Sequence, residues 1–494
     1  MAGQKHIIVI GSGFAGLSAA CVLAQEGYKV TILEKNSQPG GRARVWQQNG
    51  FTFDMGPSWY WMPDVFENFF ALFDKKPADY YTLKRIDPGY RVYFAADDIV
   101  DVPADRNDLD QLFESIEPGS ATQLAKFLKQ AKHKYMVGMG EYAFRPSHSI
   151  TEFIDFNLIK KSFSLQLLSS MRKHVYSNFK NPKLRQLLEF PVLFLGAAPQ
   201  DTPAMYSLMN YADLALGTWY PMGGMSEIVK AMISLAKSLG VEIQLDTEVV
   251  KIEVADKKVS YVKTDRGDFT ADMVIAGADY HHVDQHLLDK PHRNYNKKYW
   301  DSRVMSPSSL LFYIGLNKKV EGIQHHNLFF DADFEQHARQ IYKSPQWPDE
   351  PLFYVCAPSK TDSSAAPEGC ENLFFLMPVA PGLDDDDTIR EKYFELLLSR
   401  FESITGQSIR NNIVVKRSYE LNDFKTDYHS FKGNAYGLAN TLGQTAFFKP
   451  AMRNKHVSNL LYTGQLTVPG PGVPPAIISG QIVAKEAIAY FKGA

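Results

Sequence analysis

The stretch Lys5-His6-Ile7-Ile8-Val9-Ile10-Gly11-Ser12-Gly13-Phe14-Ala15-Gly16-Leu17-Ser18-Ala19-Ala20 predicts a short buried strand, a glycine turn and the start of a helix. Gly11 permits the tight turn, Gly13 lets the backbone approach a pyrophosphate, and Gly16 lets the helix lie close against the strand. The helix N-terminus then faces the phosphates, because its N–H groups and its dipole attract anions. The stretch therefore predicts a dinucleotide site.

A second strand supplies the context that this fingerprint requires. Val30-Thr31-Ile32-Leu33 is apolar and ends at Glu34. An acid at this point is placed to accept a hydrogen bond from a ribose hydroxyl and favours a ribose that carries no phosphate. The same glycine spacing also occurs in strand-to-helix turns that bind nothing, so the second strand and its acid make the prediction more specific.

Further segments resemble a known family. They are Gly40-Gly41-Arg42, Gly56-Pro57-Ser58-Trp59-Tyr60-Trp61-Met62-Pro63, residues 217–225 and residues 459–474. In order and spacing, along essentially the whole chain, they resemble bacterial-type phytoene desaturases and other carotenoid desaturases. That family belongs to a group of FAD flavoproteins that also contains amine oxidases and protoporphyrinogen oxidase. One departure is Thr467-Val468-Pro469-Gly470, where many relatives have Thr-His-Pro-Gly, so no histidine role is carried over.

The resemblance implies FAD as the cofactor. In the family the glycine pair and its arginine wrap the FAD phosphates, for which a planar donor fork is well suited. The Gly-Pro segment passes beside the flavin ring, and Val249 or Val250 contacts adenine through the backbone. The residues expected to bind FAD are Gly11, Gly13, Phe14, Ala15, Gly16, Glu34, Lys35, Gly41, Arg42, Met55, Gly56, Pro57, Ser58, Val249, Val250, Gly464, Gln465, Gly472 and Val473.

The resemblance also implies an apolar polyene, a carotenoid, as the substrate. An allylic hydrogen would leave as hydride to the flavin and the neighbouring carbon would lose a proton, which gives a new conjugated double bond. Five aromatic residues lie in the motifs that the family places beside the flavin. They either pack in the core or line an apolar substrate channel, and they are Trp59, Tyr60, Trp61, Trp219 and Tyr220.

No catalytic acid or base is identified from the sequence. Asp54, Glu141, Arg145 and Asp423 are candidates, but each also fits a structural or exposed position. The final electron acceptor is expected to be oxygen or a quinone.

The main hypothesis is an FAD-dependent phytoene desaturase that acts stepwise in carotenoid biosynthesis. A hydroxycarotenoid 3,4-desaturase and a carotenoid isomerase are alternatives. An amine oxidase would carry a flavin-side aromatic cage and a water-bridging lysine, for which no convincing counterpart is found. Rab GDP-dissociation inhibitors and escort proteins share the architecture and bind prenylated proteins without redox chemistry. Their glycine and acid fingerprint is degraded, whereas here it is intact.

Composition limits the partners and the location. The chain has 494 residues and a formal net charge of −2, which argues against a nucleic-acid partner. Its apolar runs fall short of the roughly 20 residues that a spanning helix needs, and a folded strand begins too early for a signal peptide. We expect a cytoplasmic protein that rests peripherally on one membrane leaflet.

Several conspicuous clusters are expected to be structural. The acidic run at residues 384–387 precedes a predicted helix and is expected to cap it from solvent. Cys21, Cys356 and Cys370 match no disulfide or metal spacing. The pairs His281-His282 and His325-His326 are expected to bind no metal, because adjacent side chains on a strand point to opposite faces.

The order of predicted elements indicates an α/β protein, α+β overall. It combines a Rossmann-like FAD-binding domain with a discontinuous substrate domain that contains a mixed sheet and a helical, membrane-facing insertion. Residues 1–102, 217–290 and 430–494 are assigned to the FAD-binding domain. Residues 103–216 form the mainly helical insertion, and residues 291–429 form the sheet and helices of the substrate domain.

Overall fold

The computed structural model describes residues 4–149, 165–167 and 169–493, without the side chains of residues 141, 193–195 and 442. In chain order its strands are β1 His6–Ile10, β2 Lys29–Leu33, β3 Val45–Gln48, β4 Phe51–Asp54, β5 Leu83–Arg85, β6 Tyr90–Ala95, β7 Asp98–Val102, β8 Trp219–Pro221, β9 Glu242–Gln244, β10 Val249–Ala255, β11 Lys258–Thr264, β12 Gly267–Phe269, β13 Met273–Ala276, β14 Ser308–Leu316, β15 His326–Phe329, β16 Phe353–Cys356, β17 Glu371–Val379, β18 Ile413–Tyr419 and β19 Leu460–Tyr462. Its α-helices are Phe14–Gln25, Pro63–Ala71, Arg106–Ile116, Ser120–Val137, Met171–Asn178, Pro182–Glu189, Leu208–Leu214, Ser226–Ser238, Tyr280–His282, Lys297–Asp301, Phe334–Tyr342, Asp387–Thr405, Leu421–Tyr428 and Val473–Lys492.

A five-stranded parallel sheet has the order β19-β13-β1-β2-β9 and draws its strands from distant parts of the chain. Its central strand is apolar on both faces, as expected for a parallel sheet covered by helices. The helices Phe14–Gln25 and Val473–Lys492 pack so closely that a Cβ atom added at Gly480 would lie 2.3 Å from the Ala15 carbonyl oxygen. The Rossmann-like sheet expected from the glycine turn is confirmed.

A seven-stranded mixed sheet has the order β18-β14-β17-β16-β15-β6-β7. The strands predicted at residues 309–316 and 372–377 are β14 and β17, which are neighbours in this sheet. β6 and β7 also belong to it, through the parallel pairing of Arg91 with Asn327, although the sequence analysis grouped residues 90–102 with the FAD-binding segments. Alternating polar and apolar residues identify a strand but not the strand that pairs with it. The strand that pairs with β6 lies more than 200 residues away in the sequence.

The insertion at residues 103–216 is mainly helical where it is described, as predicted. Residues 150–164, in its predicted membrane-facing part, lie outside the described residues. Among the helices that the structure describes, none combines the length and the apolar character that crossing a bilayer requires.

The acidic run before the helix Asp387–Thr405 caps it, as predicted. The Asp386 carboxylate accepts a hydrogen bond from the Ile389 N–H at 2.8 Å. The run is not uniformly solvated, however, because the Asp385 side chain is fully buried and pairs with Arg390. The Asp385 carboxylate also accepts a hydrogen bond from the Asn422 N–H at 3.0 Å, which ties the start of this helix to the helix Leu421–Tyr428.

Lys449 provides a test of the cost of burying a cation. It is buried, and its Nζ has no hydrogen-bond partner among the described residues. Burial lowers its pKa to about 7, whereas an unfolded lysine titrates near about 10.4. Between these two pKa values the unfolded state binds more protons than the folded state. The destabilisation caused by burying charged Lys449 is therefore complete below pH 7 and disappears as the pH rises towards 10. Lys449→Met should stabilise the protein at pH 6 by roughly 3–4 kcal/mol, with a smaller gain at pH 9.

Thermal unfolding at both pH values measures this effect, and Lys134→Met is the matched control. Lys134 is also buried, but its Nζ donates to the Ala204 carbonyl and the Ser207 hydroxyl, each at 2.9 Å. Burial lowers the pKa of Lys134 to about 7 as well, so the two lysines differ in the hydrogen bonds of Nζ rather than in the cost of burying the charge. Lys134→Met should therefore stabilise the protein less than Lys449→Met, because its acceptors lose their donor. An equal change in stability by both substitutions at pH 6 would refute the prediction.

Candidate active site

A large cavity extends from the carboxyl edge of the parallel sheet to one face of the seven-stranded sheet. Its empty space, open mouth included, measures about 1670 Å³. Gly11 and Glu34, at the ends of β1 and β2, line one end, while Leu311 of β14 and Phe374 of β17 line the other. The carboxyl edge of an open parallel sheet is where dinucleotides bind.

Most of the FAD-binding residues expected from the sequence line this cavity. They are Gly11, Gly13, Phe14, Ala15, Glu34, Lys35, Gly41, Arg42, Met55, Gly56, Pro57, Val249, Gly464, Gln465, Gly472 and Val473. Gly16 lies behind the wall, where an added Cβ atom would be 2.1 Å from the Gly11 carbonyl oxygen. The Val250 side chain is 45% exposed, and Ser58 lines a smaller cavity nearby.

The glycine turn forms a cradle of exposed backbone. Gly11 has a φ of +93°, and a Cβ atom added at Gly41 would lie 3.2 Å from the Gly13 Cα. A Cβ atom added at Gly13 would meet nothing within 4 Å, although Gly13 lines the cavity. A phosphate can therefore approach the backbone at the start of the helix, where anions are favoured.

Glu34 also holds the cradle in place. Its buried carboxylate accepts hydrogen bonds from the Ser12 N–H at 2.9 Å and the Ser12 hydroxyl at 2.7 Å. It accepts two more from the backbone and side-chain nitrogens of Asn36, each at 2.9 Å. The sequence analysis predicted a ribose contact for this acid but missed its attachment to the turn.

Arg42 carries a donor that the described protein atoms leave unused. One terminal nitrogen donates to the Ser430 hydroxyl at 3.0 Å and to the Asn434 carbonyl at 3.3 Å, while the buried Nε has no partner among the described residues. Burial lowers the pKa of Arg42, and Asp279 opposes that shift. A buried guanidinium with a spare donor on the cavity wall fits an FAD phosphate.

Asp279 is a site residue that the sequence analysis missed. It lines the cavity, and burial raises its pKa to about 6 although Arg42 acts in the opposite direction. Its carboxylate accepts a hydrogen bond from the His282 N–H at 3.1 Å. The available signal was its place soon after the buried strand β13, from which Gly277 and Ala278 separate it.

The other end of the cavity combines a helix N-terminus with an apolar wall. The helix Val473–Lys492 begins at the cavity, which places its positive dipole end there. Leu311, Phe374, Leu376 and Tyr436 contribute the wall. The strands that carry Leu311, Phe374 and Leu376 were predicted, but their sequence does not say which face meets the cofactor.

The five aromatic residues expected near the flavin mostly pack beside this cavity. Within the described part of the chain, the wall of the large cavity does not include Trp59, Tyr60, Trp61 or Trp219, and Tyr220 lines the smaller cavity, which shares Phe374 with the large one. Trp61 donates from Nε1 to the Thr218 hydroxyl at 2.8 Å, and Trp219 donates to the Leu216 carbonyl at 2.9 Å. A substrate channel along these residues remains a prediction.

The acid and base candidates have structural partners where the structure describes them. Asp54 accepts hydrogen bonds from the N–H groups that begin the helix Ser226–Ser238, and burial raises its pKa to about 6. Asp423 pairs with Arg390 at 2.9 Å, and Arg145 lies over the Tyr142 ring. The side chain of Glu141 lies outside the described residues.

Comparisons with known proteins agree with this site. The model of the family described as flavin containing amine oxidoreductase matches residues 14–488. A carotenoid 3,4-desaturase from Haloarcula japonica is 42% identical over 98% of both chains. A zeta-carotene-forming phytoene desaturase from Myxococcus xanthus is 30% identical over 98% of this chain and 94% of its own. The solved structure of cyclohexylamine oxidase from Brevibacterium oxydans shares the fold, with a TM-score of 0.60 at 14% identity over 99% of this chain and 100% of its own. The protein therefore belongs to the flavin-containing amine oxidoreductases and, within them, to the carotenoid desaturases, and is an FAD-dependent oxidoreductase.

Proposed function

We propose that the protein introduces conjugated double bonds into a carotenoid and passes the hydride to FAD. The observation that supports this most directly is the two-ended cavity. Its polar end holds the glycine cradle and Arg42, and its other end is walled by Leu311, Phe374 and Leu376. A polyene offers almost no hydrogen-bonding groups, so an apolar wall beside the reactive end of the cofactor suits it.

The residues of the chain bind the cofactor, orient it and exclude water from the site. FAD supplies the two-electron acceptor when bound. The glycine cradle and Arg42 hold its phosphates, and the helix N-terminus at Val473 favours negative charge at the opposite end of the cavity. The apolar wall keeps water away from the carbon that loses hydride.

Two carotenoids are candidate substrates of the protein. Phytoene is the substrate of the main hypothesis, and one of the relatives is a phytoene desaturase. A specific observation favours 3,4-desaturation of a hydroxylated carotenoid as the second candidate, because the carotenoid 3,4-desaturase from Haloarcula japonica is 42% identical, against 30% for the phytoene desaturase from Myxococcus xanthus.

The test uses purified, FAD-loaded protein with liposomes that contain either phytoene or a hydroxylated carotenoid, under oxygen or with an added quinone. We expect the product spectrum to shift to longer wavelength with each new conjugated double bond. We also expect turnover to need the liposomes, because we propose that the protein works from the cytoplasm on one leaflet, where the substrate dissolves.

Each result decides between hypotheses. A spectral shift with only one of the carotenoids identifies the substrate. Cis-to-trans change without longer conjugation would replace the proposal by an isomerase. A colourless protein that cannot be reconstituted with FAD would refute it and favour a prenyl-binding role.

A further inference from the structure

Three buried side chains with metal-binding atoms lie together beside the large cavity. They are His325, His326 and Cys356, and one nitrogen of each imidazole and the Cys356 sulfur all lie within 4.8 Å of one another. The side chains are at most 3% exposed. Two imidazoles and a thiolate are donors that zinc-class ions take in tetrahedral sites.

The backbone brings these side chains together from two strands. His326 is directly opposite Cys356 in the antiparallel pair β15–β16, so both side chains lie on one face. His325 precedes β15, outside the alternation of the strand, and its ring centroid lies 4.4 Å from that of His326. The sequence expectation that the two histidines point apart is therefore wrong. Cysteine spacing along the chain could not reveal a site shared between strands.

In each of the two imidazoles, the Nδ1 atom has a hydrogen-bond partner that orients the ring. The Nδ1 of His326 lies 2.6 Å from the Tyr354 hydroxyl, and that hydroxyl donates its proton to the Ser58 hydroxyl at 3.1 Å. In the tautomer in which Nδ1–H donates to the Tyr354 oxygen, the lone pair of His326 lies on Nε2. The Nδ1 of His325 lies 2.7 Å from the Thr361 hydroxyl. Such outer hydrogen bonds typically orient metal-binding histidines.

The Nε2 nitrogens of the two imidazoles have no such partner among the described residues. The Nε2 atoms of His325 and His326 are both buried without a hydrogen-bond partner among the described residues. A buried polar atom left unpaired destabilises the folded protein. Stacking holds the rings in this arrangement, since Trp59 lies parallel to His326 with centroids 4.0 Å apart and Tyr220 meets His325 edge to face. A cation that binds through Nε2 would give each of these atoms the partner that it lacks.

We propose that His325, His326 and Cys356 bind one divalent ion of the zinc class. Bonds of about 2.0–2.3 Å place tetrahedral donors about 3.4–3.6 Å apart, so the present cluster must contract by roughly 1 Å. The Cys356 thiol gives its proton to solvent when the sulfur binds the ion. A water molecule would complete the tetrahedron, and the smaller cavity, which Cys356 and Asp54 both line, has room for one.

The ion would position the flavin-side segment of the chain. His326 is linked through Tyr354 to Ser58, and Ser58 directly follows Gly56 and Pro57, which line the large cavity. An ion on His326 therefore fixes a chain of contacts that ends beside the cofactor. This role is structural, and it requires no electron transfer by the metal.

The test is metal analysis of the full-length protein produced in zinc-supplemented medium, because the cluster is buried and is best filled during folding. We expect about one zinc ion per chain in the wild type and loss of that zinc in Cys356→Ala and His326→Ala. Cys21→Ala is the matched control, since Cys21 is equally buried but lies outside the cluster, and it should keep the metal. Protein produced with cobalt should show a thiolate-to-cobalt charge-transfer band that Cys356→Ala lacks.

The wild-type measurement alone can overturn the proposal, whether or not the variants fold. Less than about 0.1 zinc or cobalt per chain would show that the cluster is not a metal site. Wild-type metal content in Cys356→Ala would assign the ion elsewhere. One equivalent of copper in place of zinc would overturn the assignment to the zinc class.

Discussion

Gly16→Ala should abolish the soluble, FAD-bound protein, whereas Gly13→Ala should keep the fold and weaken FAD binding by about 10- to 100-fold. At Gly16 the added methyl would lie 2.1 Å from the Gly11 carbonyl oxygen and 3.3 Å from a Val9 methyl group. The obstacle is backbone, so the helix must move away from β1. At Gly13 the φ of −68° suits alanine and nothing lies within 4 Å of the new carbon.

The two variants separate the packing role of the fingerprint from its binding role. Soluble yield and the melting temperature of the apoprotein report on the fold, and titration with FAD reports on the site. The methyl at Gly13 occupies space that the phosphates need, so only affinity should fall. A Gly13→Ala protein with wild-type affinity would show that the pyrophosphate does not approach this backbone.

Arg42→Met should lower FAD affinity by about 10- to 100-fold, because a hydrogen bond to a charged group contributes about 1.5–3 kcal/mol. The buried Nε of Arg42 is the donor that the protein leaves for an anion. Arg42→Lys should recover only part of this loss, since an ammonium keeps the charge without the planar fork.

The measurement is quenching of flavin fluorescence at several salt concentrations. Arg417→Met is the matched control, because Arg417 is a half-buried arginine that lies over the Trp46 ring at 5.1 Å and lies outside the cavity wall. It should bind FAD as the wild type does. Equal loss of affinity in both variants would mean that Arg42 acts through stability rather than through the phosphates.

The cofactor end of the site was predictable because it depends on local sequence. The function of the turn from Gly11 to Gly16 depends on the spacing of its glycines. The acid after β2 lies in the same short stretch of sequence. Asp279, which follows β13 after Gly277 and Ala278, also lies in a short local window and was overlooked. These features need no knowledge of the rest of the fold.

The apolar end of the cavity was not predictable, because it depends on which distant segments pair. The alternation in β14 and β17 identified strands, but Leu311 and Phe374 face the cavity only because of how the seven-stranded sheet meets the cofactor domain. The pairing of Arg91 with Asn327 is equally invisible to a local window. The same limit hid His326 and Cys356, which become neighbours only across β15 and β16.

The parallel sheet also sets when the cofactor can be taken up during synthesis. Its first strand begins at His6, whereas its edge strand, Leu460–Tyr462, and the helix Val473–Lys492 follow hundreds of residues later in the chain. Contacts this distant in sequence form slowly and late. FAD can therefore find both ends of its cavity only after these later segments have been made.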